Sequence, residues 1–395
     1  MPFTPIAPIS TNGIISPDLI ELAEHVCYES ALLSGNHNFV VLQELREMLR
    51  LINSYYSNRI ESEGTHPIDI EKAMRKEFSN DAKEKKLQML SLAHIEVQKE
   101  MENWLQEDRF TSAYDTDFIK EIHSKLYAKP GMESFLHIEY GSLNTDMIPG
   151  QFRHLDVEIG RHKAPDAHHV SGLMNEFEHL YRKADARTLS MKLIYALSSH
   201  HRLVWIHPFL DGNGRVARLA LDGALFKSGL YGYGLWNLSR GLARNVDRYK
   251  DMLGYADMAR QGTMDGRGNL SAKALEIFVR FMLEMAIDQI TYMKKYFRLD
   301  ELSGRLERYV GMSQNKLFDI EPLPKHSEKV FKHLLLKGES ARGEIAQVAG
   351  ISQRGSTNLI KELLERGYII SASEKGAIRL RFSAHLSSVI FPELQ

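Results

Sequence analysis

The chain has 395 residues, with 50 Lys+Arg against 51 Asp+Glu, a formal net charge of −1, 43% apolar residues and 26% charged ones. That balance describes an ordinary globular protein of two or three domains and excludes a chain that is basic throughout, so any nucleic-acid contact must come from a local patch. A single cysteine, Cys27, excludes a disulfide framework and a multi-cysteine zinc site and fits a reducing compartment; no apolar run approaches the roughly 20 residues that cross a bilayer.

Residues 1–17, rich in Pro, Ser, Thr and Gly, read as an extended arm. They lack the basic-then-apolar order of a secretory signal, so no membrane partner is expected and a cytoplasmic location is the default. Pro17 suits a helix start, with Asp18 and Glu21 in its first turn. Leu42, Leu45, Met48, Leu49 and Ile52 recur at three- and four-residue steps, as on an amphipathic helix, and Ile68, Ile70, Ala73 and Met74 suggest another. A long helix is expected over 81–105, and a shorter one over 118–127 with Asp115 as its cap. Between 131 and 165 glycine and proline become frequent, and Val157 and Ile159 alternate with Glu158, a short-strand or hairpin signal. Helical pattern returns over 170–181, 188–204, 214–229, 245–260 and 271–297. Residues 316–325, with Pro322 and Pro324, read as a linker. Three short helical patterns then follow at 328–336, 341–349 and 352–365. Two alternating runs, 368–371 and 377–382, flank Lys375 and Gly376 as a hairpin would. Three helices and a hairpin make a winged-helix pattern.

The chemistry is concentrated in one polar loop between two apolar helical patterns: His207-Pro208-Phe209-Leu210-Asp211-Gly212-Asn213-Gly214-Arg215-Val216-Ala217-Arg218. Gly212 and Gly214 let the backbone approach a ligand closely, and free N–H groups at the following helix start, with the helix dipole, make an anion site. Arg215 and Arg218, three apart, project near that end. Asp211 is suited to holding Mg²⁺ between phosphate oxygens, and His207 to acting as a general base near neutral pH. These are the parts that a phosphoryl or nucleotidyl transferase needs. Adjacent histidines at 200 and 201 point about 100° apart on a helix and do not easily share a metal. His168 and His169, at a loop-to-helix junction, do not read as a metal site either. Zinc-protease and P-loop motifs are absent from the sequence.

The run resembles the Fic family signature, His-Pro-Phe-x-Asp/Glu-Gly-Asn-Gly-Arg-x-x-Arg, and matches it at every fixed position. The resemblance extends more weakly over 114–250. The stretches Gly150-Gln151-Phe152-Arg153 and Val157-Glu158-Ile159-Gly160 resemble the family's flap hairpin. It implies a mainly α fold: a helical Fic core with a short β-hairpin flap, plus the C-terminal winged helix-turn-helix domain. Residues 1–108 would be an N-terminal helical region, 109–315 the catalytic domain, and 316–395 the linker and winged helix.

The activity implied is AMP transfer from ATP to a protein hydroxyl, with ATP as substrate and Mg²⁺ as cofactor. By the resemblance, His207 deprotonates the target Ser, Thr or Tyr, and Asp211 holds Mg²⁺ on the α- and β-phosphates. Asn213 bonds the α-phosphate beside the amides of Gly212 and Gly214, Arg215 and Arg218 bind the outer phosphates, and Tyr249 lines the adenine pocket. Glycine at 214 favours the AMP-transfer branch over the phosphotransferase branch. Val157, Glu158 and Ile159 would pair with the target's backbone, a mode that carries little sequence information.

Upstream, Ser57-x-x-x-Glu61 resembles the family's inhibitory helix, in which the glutamate pairs with the second signature arginine, here Arg218. Ser62 stands where Gly or Asn is usual, which puts the helix end in question. Over 326–382 there are ten Lys+Arg and six Asp+Glu, a local +4. The third helix there opens with Ser352, Gln353, Arg354, Ser356, Thr357 and Asn358, residue types that reach bases or phosphates, and Arg379 and Arg381 would sit near backbone phosphate on the wing. Candidate partners are therefore a target protein with a hydroxyl side chain, DNA and a second copy of the chain. Two alternatives stand beside AMP transfer: a DNA-binding regulator with a nucleotide-sensing core, and a Fic enzyme of different chemistry, phosphotransfer or de-AMPylation.

Overall fold

In the computed structural model, which describes residues 15–35, 37–140, 143–160, 162–266 and 268–394, apolar periodicity becomes helix nearly throughout. The arm expected over 1–17 lies, up to residue 14, outside the described residues. In order come α1 (Pro17–Leu32), α2 (Phe39–Ile60), α3 (Pro67–Met74), α4 (Ala82–Gln106) and α5 (Thr116–Tyr127). Two antiparallel hairpins follow, β1 (His137–Tyr140) with β2 (Leu143–Asp146), and β3 (Glu158–Ile159) with β4 (His162–Lys163). Next are α6 (Val170–Tyr181), α7 (Leu189–Ile206), α8 (Asn213–Lys227), α9 (Leu238–Arg244), α10 (Val246–Ala256), α11 (Ala272–Tyr296) and α12 (Leu299–Gln314). The last group is α13 (Ser327–Lys337), β5 (Glu339–Ser340), α14 (Ile345–Ala349), α15 (Gln353–Glu365), β6 (Ile369–Ser371), β7 (Ile378–Leu380) and α16 (Ala384–Ile390). Among the described residues no helix is long and apolar enough to cross a membrane.

One apolar core runs through these elements. At its centre is α7, buried on every face by Leu193, Ile194, Tyr195, Ala196, Leu197 and Leu203. A helix buried all round, its polar residues included, has to be surrounded, and α1, α6, α8 and α11 surround this one. On α8 small residues let its neighbours come close: a Cβ at Gly223 would stand 2.9 Å from the Phe118 ring on α5. Both α2 and α4 also pack against α8.

Several expected elements differ in detail. Asp115 occupies the N-cap of α5 without bonding that helix's amides; it accepts from the Ser112 N–H at 3.1 Å and pairs with Arg182 at 3.3 Å instead. The helix expected over 245–260 closes at Ala256, because the chain then turns into an extended bridge pairing Ala259 with Leu270. Helices α9, α12 and α16, the β1–β2 hairpin and β5 had no distinct signal: each is short, or continuous in pattern with its neighbour.

In the C-terminal group β7 lies between β5 and β6, with Ser340 and Ser371 both opposite Ile378. This group does not hang on a free linker. The Arg366 guanidinium bonds the carbonyls of Glu321 and Pro322, and Leu323 is buried. Arg379 and Arg381 are not turned outward toward phosphate as expected. Arg379 pairs with Glu44 of α2 at 2.7 Å and Arg381 with Glu71 of α3 at 2.9 Å, both carboxylates buried. Asn38, which caps α2, donates its side-chain amide to the Lys337 carbonyl at 2.8 Å.

Candidate active site

The loop between α7 and α8 is shaped by two left-handed residues. His207 ends α7 at φ 50°, a conformation unusual for a residue with a Cβ, and Gly212 caps α8 at φ 75°. Glycine is required at 212 for a second reason: a Cβ there would lie 2.4 Å from the Tyr127 hydroxyl. Asn213 closes the loop on itself. Its Oδ1 accepts from the Phe209 N–H and its Nδ2 donates to the Phe209 carbonyl, both at 2.9 Å. The side chain expected on an α-phosphate thus first fixes the loop, and one amide hydrogen is left to donate.

Two groups that the sequence reading did not assign hold the loop from below. His123 of α5 stacks on Phe209, with ring centroids 3.9 Å apart. Its Nδ1 accepts from the Gly150 N–H at 2.8 Å, so its proton is on Nε2, which faces the Asp211 carbonyl at 3.3 Å. Arg153, 3% exposed, bonds the His207 carbonyl through Nε at 2.7 Å and the Leu155 and Pro165 carbonyls through its other nitrogens. A buried histidine inside an apolar helix pattern, and an arginine in a glycine-rich stretch, were the available signals.

His207 places its Nδ1 3.4 Å from the Val204 carbonyl, which leaves the Nε2 lone pair as the acceptor. Burial, followed by the nearby His162 and Arg153, lowers its pKa from 6.5 to about 4. The imidazole is neutral at physiological pH, the form a general base needs. The Asp211 carboxylate is half-buried and has no hydrogen-bond or ion-pair partner among the described residues. A hard, unengaged carboxylate beside two free helix-start amides fits Mg²⁺ on a polyphosphate.

Both arginines of the loop are engaged by α2. Arg218 donates to the Ser57 hydroxyl at 2.9 Å, the Ser57 carbonyl at 2.8 Å and Glu61 at 2.6 Å. Arg215 bonds Asn58 at 3.2 Å, the Tyr127 hydroxyl at 2.6 Å and Glu63. Burial alone would raise the Glu61 pKa, but Arg218 and Arg215 together hold it below the usual carboxylate range. Gly214 makes room for this contact, since a Cβ there would stand 2.2 Å from Glu61 Oε1.

The end of α2 explains Glu63, which sequence reasoning missed. Ser62 takes the left-handed conformation at φ 63°, with its N–H on the Arg59 carbonyl and the Glu63 N–H on the Asn58 carbonyl. This is the Schellman arrangement, and its left-handed position is the one that Gly or Asn fills with less strain. Ser62 fills it here, and the reversed chain brings Glu63 over Arg215.

Tyr249 is not in an open pocket as expected for an adenine contact. It is 2% exposed, and its hydroxyl lies 2.7 Å from His200 Nε2, behind Arg218; burial raises its pKa to about 12. The other His200 nitrogen faces the Ala217 carbonyl at 3.2 Å, so this ring is a core partner. Glu158 and Ile159 are exposed in β3, Ile159 at 41%, and Val157 just before them is half-buried. Asp166, His168 and His169, all exposed, bring their ligating atoms within 4.8 Å of one another.

Residues 110–225 match the Fic/DOC family. Over 80 residues the chain is 39% identical to a protein adenylyltransferase Fic from Drosophila grimshawi and 41% identical to one from Aedes aegypti. Each match covers 20% of this chain and 16% of the relative, about a sixth of the relative's length. A Fic domain containing signaling protein from Bacteroides thetaiotaomicron aligns with a TM-score of 0.53 at 19% identity, over 69% of this chain and 96% of that one. A Fic family protein from Desulfovibrio desulfuricans aligns with a TM-score of 0.50 at 18% identity, over 93% of this chain and 97% of that one. These two likenesses are of fold.

Proposed function

We propose, from the Fic domain that this chain carries at 110–225, that it is a protein adenylyltransferase held inactive by its own α2. The observation that carries the reading is the combination of a neutral His207 with a free Nε2 and, beside it, a two-arginine anion cradle closed by Glu61. A structural loop has no use for a neutral base beside two arginines held by carboxylates.

In the reaction, His207 Nε2 takes the proton of a Ser, Thr or Tyr hydroxyl on the target or on the chain itself. The freed oxygen bonds the α-phosphorus of ATP, and the bond from that phosphorus to the bridging oxygen breaks, releasing pyrophosphate. The Gly212 and Gly214 amides and the free amide hydrogen of Asn213 face the α-phosphate, and Arg215 and Arg218 hold the departing phosphates. Mg²⁺, held by Asp211, would neutralise charge on the phosphates. The β3–β4 hairpin acts as the flap, offering the exposed edge at Val157, Glu158 and Ile159 to the target backbone. Glu61 blocks the cycle by taking the Arg218 guanidinium that the outer phosphate needs. ATP labelled separately at the α- and γ-phosphates tests this. Label from the α position should appear on protein in the Glu61→Gly variant. Label from the γ position alone would replace the reading with phosphotransfer, and loss of pre-attached AMP without transfer would replace it with de-AMPylation.

A second reading concerns the elements from α13 to β7, whose order of helices and strands supports a winged helix with α15 as its outward helix. Gln353, Arg354, Thr357, Asn358 and Lys361 are all exposed along α15. That row suits contact with duplex DNA, whereas the inward pairing of Arg379 and Arg381 removes the wing from it. Mobility shift of random duplex by the full chain at low salt, lost in Arg354→Glu, tests this reading.

A further inference from the structure

Next to the catalytic loop, a chain of ionisable groups, half-buried at His162 and Asp257 and buried at His201, ties the β3–β4 hairpin to two helices. His162, on β4, has an acceptor at each ring nitrogen: Asp257 Oδ2 lies 2.9 Å from Nδ1, and the Trp205 carbonyl oxygen lies 3.0 Å from Nε2. A neutral imidazole has one N–H and satisfies one of them; only the imidazolium donates to both. The other oxygen of Asp257 lies 3.0 Å from His201 Nε2. His201 Nδ1 faces the Arg202 guanidinium at 3.3 Å, a group that only donates, so His201 is neutral and carries its proton on Nε2. Asp257 is therefore one negative charge between a neutral donor and a ring that can be cationic.

The hairpin needs such a tie. It consists of two residue pairs, Glu158 with Lys163 and Ile159 with His162, too few to hold a position in water alone. Arg153 fixes its base through the carbonyls of Leu155 and Pro165. His162 is the side chain by which its far strand reaches the last turn of α7 and the end of α10.

We propose that His162 and Asp257 form a latch that positions the β3–β4 hairpin beside His207, closed while His162 is protonated and released when that proton is lost. His162 is a positioning residue, and what the hairpin positions, a target segment, rests on the function proposed above. The groups that face it are Asp257 from α10, His201, His207 and the Trp205 carbonyl from α7 and its end, and Arg153 from the segment before β3. Burial opposes the charge on His162, but the bonds to Asp257 and the Trp205 carbonyl outweigh it and raise the pKa above 6.5. Between the two histidines, Asp257 is held down at about 2 and stays ionised. A raised folded value means that the latch is complete well below pH 6.5 and is lost as pH rises through the folded value. The closed latch also favours catalysis, because its positive charge helps keep His207 unprotonated.

The test uses the full chain without ATP or target, so its outcome is independent of which transfer the enzyme performs. A nitroxide is attached at Glu158→Cys in a Cys27→Ser background, and its mobility is followed from pH 5.5 to 9 beside the NMR titration of the His162 ring. The label should be immobile at low pH and mobile at high pH, with a midpoint equal to the ring pKa. In Asp257→Asn the ring pKa should fall by about 1 to 3 pH units and the label should be mobile at neutral pH. His162→Gln, of similar size, should be mobile at every pH. A label equally immobile at pH 5.5 and 9, or a His162 pKa at or below 6.5, overturns the latch.

Discussion

At the scale of single residues, each loop arginine has its own carboxylate, and the two are unequal. Arg218 depends on Glu61 and on Ser57, whereas Arg215 keeps Tyr127 and Asn58 if Glu63 is removed. Glu61→Gly should therefore raise α-label transfer on the order of 10²-fold, since positioning of the phosphates is a large part of this chemistry. Glu63→Gln should raise it less, and the double variant should exceed either; equal labelling by wild type and Glu61→Gly would show that α2 does not restrain the site. His207→Ala should lose about 10²–10⁴-fold of transfer in the released enzyme while ATP affinity, read by calorimetry, is kept. Because burial and His162 hold His207 at about 4, activity of the Glu61→Gly enzyme should not fall as pH drops through 6.5. Its acid limb, where the base becomes protonated, should lie near the lower value. A limb near 6.5 would mean a solvent-exposed base.

At the scale of elements, the α7–loop–α8 unit is the part most legible in the sequence, because its chemistry is local: twelve consecutive residues hold the proposed base His207, the Asp211 carboxylate, both loop glycines and both arginines. Helix periodicity likewise located α2, α4 and α11, whose apolar faces are long enough to average out exceptions. What could not be read was set by distant partners. His123 looks like a stray polar residue on an amphipathic helix until Gly150 and Asp211 are brought to its two nitrogens. Glu63 lies beyond a helix end whose reversal depends on Ser62 accepting a left-handed turn. Tyr249 falls on an expected helix, but its burial behind Arg218 follows from the packing of α10 on α11 and from His200 of α7 at its hydroxyl, which no local pattern encodes. His123→Leu makes the element-level prediction. It strands the Gly150 N–H and the Asp211 carbonyl in a buried site, which should cost about 1–3 kcal/mol of stability by denaturant unfolding. It should also raise the Mg²⁺ concentration needed for half-maximal transfer, because the Asp211 backbone loses its anchor. Unchanged Mg²⁺ dependence at lowered stability would confine His123 to packing.

At the scale of the whole molecule, the C-terminal group is fastened to α2 and α3. Glu71 is 5% exposed, accepts from Arg381 and from the Ala384 N–H, and would be left as a buried charge with a single partner by Arg381→Ala. That variant should lose about 1.5–3 kcal/mol, the value of a hydrogen bond to a charged group, measured by thermal or denaturant unfolding. Its labelling with α-labelled ATP should rise in parallel if α2 shifts with its neighbours, and stay at the wild-type level if α2 is held by α4 and α9 alone. The feature with the longest reach is α2 itself. Its 22 residues make a rod about 33 Å long at 1.5 Å per residue. One end, at Asn38, bonds the carbonyl of Lys337, the last residue of α13; at the other lie Glu61 and Glu63, paired with Arg218 and Arg215. A helix resists compression and bending far better than it resists being slid along its grooves. A displacement of the C-terminal group would therefore reach Glu61 and Arg218 only as far as α4 and α9, packed along the flank of the rod, let it slide, which makes those two contacts the clutch between its ends.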